Sequence, residues 1–81
     1  MNFDLFKLYL EKELYLNKIQ SIIITNITKK YYKEKRTIKE LEEYLEKLGF
    51  YDITINNISQ YLLFSNYRYE MDRKLVKFQN V

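Results

Sequence analysis

The sequence predicts a mainly α-helical domain closed by a small C-terminal β-hairpin, with a helix, tight turn and second helix over residues 37–64 at its centre. Three observations predict it. Thr37 followed by Glu40 forms a capping box, in which the hydroxyl and the carboxylate each satisfy a backbone N–H left unpaired by the first helical turn. Leu41, Tyr44, Leu45 and Leu48 then recur at i, i+3, i+4 and i+7, the spacing of one helix face. Gly49, the only glycine in the chain, stands where a left-handed residue ends such a helix, and Phe50 follows to fold back on it.

Taken in order, residues 1–16 read as an N-terminal helix. Asn2 or Asp4 can cap it, and Leu5, Phe6, Leu8, Tyr9, Leu10, Leu14, Tyr15 and Leu16 cover most of its circumference. A helix that apolar is buried on more than one side. The reading is therefore a dimerisation helix, with Leu5, Phe6, Leu8, Tyr9 and Leu10 as the interface; the alternative is a helix central in the monomer. Residues 17–36 carry Ile19, Ile22, Ile23, Ile27 and Tyr31 at helical spacing, with Asn17 as a second N-cap. The β-branched run from Ile22 to Thr25 favours a strand locally, but the helical period extends further and a helix is expected. Fusion of both segments into one long kinked helix is the alternative there.

Residues 51–64 admit two readings. Thr54 can cap a helix in which Ile55, Ile58 and Leu62 share one side while Asn56, Asn57, Ser59 and Gln60 gather on the other. The same residues can make a hairpin, with Ile53 and Ile55 alternating before a two-residue Asn56-Asn57 turn. The helix is the expectation. The hairpin gives the alternative fold, α+β, with two or three helices and an antiparallel meander from 51 to 79. Residues 67–79 read as two short strands around Asp72-Arg73, the closing hairpin.

Composition bounds what this single domain does. At 81 residues with 47% apolar content, a folded but small core is expected. The chain has no Cys and no His, so disulfides, thiolate or imidazole metal sites and His-based or Cys-based catalysis are all excluded. With no Gly-rich phosphate loop either, no enzymatic activity, cofactor or metal is expected. Oligomerisation is the remaining way to reinforce a small core, and a homodimer is expected. No apolar run reaches the length of a membrane span, and Met-Asn-Phe-Asp is not the basic start of a signal peptide, so a cytoplasmic location is expected. Ala and Pro are absent and Lys dominates Arg, which is the mark of an AT-rich genome and fits a phage, plasmid or other mobile element.

Net charge is +3, with a pI near 9.0, mildly favourable to nucleic acid. Lys29, Lys30, Lys33, Lys35 and Arg36 form a basic run, Glu40, Glu42, Glu43 and Glu46 an acidic one, and Arg68, Arg73, Lys74 and Lys77 a basic end.

The order helix, capped helix, Gly-aromatic turn, Thr-containing helix, hairpin resembles a winged helix-turn-helix, and in particular the amino-terminal DNA-binding domain of arginine repressors. Glu40-Leu41, Leu45, Gly49-Phe50, Ile53-Thr54 and Ile58-Ser59 carry the likeness, with Ile19 and Ile22-Ile23 resembling the family's first helix. The likeness covers about 45 residues loosely and about 22 well, with Gln60 where the family has arginine and no counterpart of its ligand-binding half. It implies a DNA-binding fold without arginine sensing. It also implies that Thr54 and Ser59 contact phosphate while Asn56, Asn57 and Gln60 read bases, for which Asn and Gln have the donor–acceptor pair that matches adenine. The predicted recognition helix has no Lys or Arg, so phosphate neutralisation falls to Lys29, Lys30, Lys33, Lys35, Arg36, Arg68, Arg73, Lys74 and Lys77.

Two functions compete on this sequence. One is a dimeric regulator on double-stranded DNA, its two recognition helices about 34 Å apart in successive major grooves. The other is a small inhibitor or interaction protein that binds a host enzyme or defence complex through an acidic, Tyr-rich surface.

Overall fold

The structure, a computed structural model, describes residues 1–65. These form α1 (Phe3–Lys12), α2 (Lys18–Lys33), α3 (Ile38–Lys47) and α4 (Asp52–Leu63). Each start has a local cause. Asn2 caps α1, its side-chain oxygen accepting from the N–H groups of Asp4 and Leu5 at 3.0 and 3.1 Å. Asn17 and Gln20 make a reciprocal capping box on α2, and Thr37 and Glu40 make the same box on α3. At α4 Tyr51 holds the cap position without a side-chain bond, and Thr54 lies inside the first turn rather than ahead of it.

The ends of α2 and α3 share one design. Gly49 has φ +94, its N–H donates to Glu46 O at 3.0 Å, and Phe50 N–H donates to Leu45 O at 3.2 Å. Lys35 has φ +59, its N–H donates to Tyr32 O at 3.1 Å, and Arg36 N–H donates to Tyr31 O at 2.9 Å. Both are Schellman motifs, one with glycine at the left-handed position and one with lysine. The first helix ends at Lys12, short of Leu16, and a connection with Tyr15 at φ +56 separates α1 from α2. One long kinked helix is thereby ruled out.

The core draws on every helix: Phe6 and Leu10 from α1, Ile24 and Tyr31 from α2, Ile38, Leu41 and Leu45 from α3, Ile55, Ile58 and Leu62 from α4. The α1 ring of Phe6 and the α2 side chain of Ile24 are both fully buried. Tyr9 and Tyr61 stack between α1 and α4 at 4.4 Å, and the Tyr9 hydroxyl donates to the Asn57 carbonyl at 3.1 Å.

Two expectations are corrected. The mainly α fold with a closing β-hairpin gives way to an all-helical domain: the described residues form four helices and no strand, so the winged class is not what they build. The alternative meander fails over its first half, where α4 runs through Asn56 and Asn57. The deciding contrast is at Ile53 and Ile55. A strand would place both on one face, yet Ile53 is 71% exposed and Ile55 is 5% exposed, as a period of 3.6 requires. The hairpin expected at 67–79 lies outside the described residues.

The second correction concerns the face that α2 buries. Ser21, Thr25 and Thr28 line the interior beside Ile24 and Tyr31, while Ile19, Ile22 and Ile23 stand in solvent. Thr28 Oγ1 is satisfied by donating to the Ile24 carbonyl at 2.8 Å. The hydroxyls of Ser21, Thr25 and Ser59 are buried with no hydrogen-bond partner among the described residues.

Candidate functional site

The outward face of α4 is the natural place to look, because its inward face is committed to the core. Ile53, Asn56 and Gln60 are exposed, and Asn57 is half-buried beneath the Tyr9 contact. These positions follow one another at three or four residues and so form a single strip. Thr54 is half-buried and Ser59 is buried. Of the five residues expected to meet DNA from this helix, Asn56 and Gln60 are presented to solvent, Asn57 and Thr54 in part. Ser59 points into the packing instead, since position 59 shares the inward side with Ile55, Ile58 and Leu62.

Two shoulders flank the strip. On one side a shallow groove is lined by Lys39, Glu42, Glu43 and Glu46 of α3 and by Asp52, Ile55 and Asn56 of α4. Its lining carries four carboxylates and a single cation. On the other side a hollow between α1 and α4 is lined by Tyr9, Gln60, Tyr61, Phe64 and Ser65. Phe64 leaves most of its ring in water, and Tyr51 does the same at the N-terminus of α4. An apolar and amide strip is thus bounded by acid on one side and by aromatic rings on the other.

The expected phosphate contacts separate into groups. Lys29, Lys30, Lys33 and Lys35 are exposed at the C-terminal end of α2 and just beyond it. Lys29 Nζ lies 5.7 Å from the Phe3 ring centre. Arg36 is engaged with its own neighbours. Its Nε donates to Glu40 at 2.9 Å, a second nitrogen lies 3.8 Å from Glu34, and its guanidinium stacks 4.2 Å over Tyr31. The hydrogen bond to Glu40 leads the causes that raise the Arg36 pKa, and its reciprocal lowers that of Glu40, helped by the Thr37 N–H. Arg68, Arg73, Lys74 and Lys77 lie outside the described residues. The expected dimer residues divide as well: Phe6 and Leu10 are fully buried inside one chain, Tyr9 is half-buried, and Leu5 and Leu8 are exposed.

Chemically, no described group of acidic side chains is arranged to hold a metal ion, and no described helix is long and apolar enough to cross a membrane. Burial raises the Tyr9 hydroxyl pKa, with the Glu13 carboxylate and Tyr61 adding to it, so Tyr9 stays a protonated donor to Asn57. The acidic groove is the feature sequence reasoning placed incompletely. The Glu40–Glu46 run was visible, but its juxtaposition with Asp52 and Asn56 depends on how α3 and α4 pack. Comparison of the chain with protein families, characterised proteins and solved structures finds no match.

Proposed function

We propose that the chain is a protein-binding module whose α3–α4 surface takes a basic, amphipathic segment of a partner. One observation carries the reading: the outward strip of α4 has no cation, and the groove beside it is lined by Glu42, Glu43, Glu46 and Asp52 against Lys39 alone. Affinity for DNA comes largely from phosphate neutralisation. A phosphate backbone brought against this helix meets carboxylates, whereas a lysine-rich or arginine-rich segment is drawn to them. Ile53, Tyr51 and Phe64 supply exposed apolar surface for the segment's other face.

The test uses fluorescence anisotropy with two probes, a short amphipathic lysine–leucine helical peptide and a mixed-sequence DNA duplex. The peptide should bind with an affinity that falls as salt rises. Glu43→Lys with Glu46→Lys should weaken it roughly tenfold or more, as expected when close attractive charges become repulsive. Both positions are exposed, so helicity should be unchanged. Saturable binding to the duplex that Asn56→Ala and Gln60→Ala weaken, with no peptide binding, would overturn the reading in favour of a DNA regulator.

A further inference from the structure

We draw no further inference here: the strongest candidate, the aromatic hollow between α1 and α4 lined by Tyr9, Gln60, Tyr61 and Phe64, is an unpartnered apolar surface, and nothing in the structure shows what covers it.

Discussion

The paired helix ends make a prediction of opposite signs. Gly49 and Lys35 occupy the same position of the same Schellman motif, at φ +94 and +59. A side chain at a left-handed position costs roughly 1–2 kcal/mol in the folded state. Replacing glycine stiffens the unfolded chain and returns about 0.4–1 kcal/mol, and introducing glycine has the reverse effect. A Cβ built on Gly49 meets no atom within 4 Å, so Gly49→Ala carries backbone strain and no clash. Its net cost is about 1 kcal/mol. Lys35 is exposed and its side chain makes no hydrogen bond or ion pair among the described residues, so Lys35→Gly releases strain with little else lost. Its net gain is about 0.5–1 kcal/mol. Urea denaturation followed by far-UV circular dichroism reads both. With a slope near 1 kcal/mol/M for a domain of this size, the midpoints should move about 1.5–2 M apart, in opposite directions from the parent. Shifts of the same sign, or a gain from Gly49→Ala, would refute the assignment of these two residues as equivalent left-handed caps.

Other outcomes follow from the packing of the core and the bonds at the helix ends. Leu45→Ala, at a fully buried site, should cost about 3 kcal/mol or more, and Leu48→Ala, 45% exposed on a neighbouring turn, under about 1, in the same urea assay. Tyr9→Phe deletes the hydrogen bond to the Asn57 carbonyl and should lower stability by about 1 kcal/mol at neutral pH. The raised Tyr9 pKa means that its contribution is present below the ordinary tyrosine value of 10.0 and is lost as pH rises through the folded value, so the loss of parental stability in that range should be smaller in Tyr9→Phe. Glu40 has the opposite sign. Its lowered pKa gives stability that is present above the ordinary value of 4.5 and lost as pH falls through the folded value, and Glu40→Gln should flatten the acid limb of a melting-temperature profile.

The parts legible in the sequence were those fixed by neighbouring residues. The capping box at Thr37, the N-cap at Asn17, the left-handed Gly49 and the choice of Asn2 or Asp4 as first cap each depend on residues within a turn; the structure has the first three, and Asn2 makes the cap. Interior faces depend on the rest of the fold. Ile19, Ile22 and Ile23 have the right spacing for a core stripe, but α2 is apolar on one side and small on the other. Ser21, Thr25 and Thr28 lie instead on the buried side, with Ile24 and Tyr31, a face that the spacing of the isoleucines does not reveal. Ser59 was misplaced for the same reason: its polarity suggested an outward hydroxyl, while its position in the helical period puts it beside Ile55 and Leu62. The Asn56-Asn57 pair was ambiguous because asparagine suits both a tight turn and an exposed helix face. The fate of Ile53 and Ile55 settles it, and that contrast appears only once α4 is docked.

Charge, more than helix order, separates the two functions. A helix-turn-helix outline read from caps and a glycine says nothing about the potential that its second helix meets. In this chain Arg36 closes the basic run by bonding to Glu40 and Glu34 and stacking on Tyr31, which fixes it as a structural residue at the α2–α3 corner. On one side of that corner the exposed cations are Lys29, Lys30, Lys33 and Lys35; on the other, the α3 side chains lining the groove beside α4 are Glu42, Glu43 and Glu46 against Lys39 alone. Positive charge thus predominates at the end of α2 and negative charge along the groove. The charge that borders the strip of Ile53, Asn56 and Gln60 is negative. A ligand reaching that strip must tolerate several carboxylates within the Debye length of about 8 Å at physiological salt. A basic protein segment gains from that neighbourhood, and a duplex must overcome it.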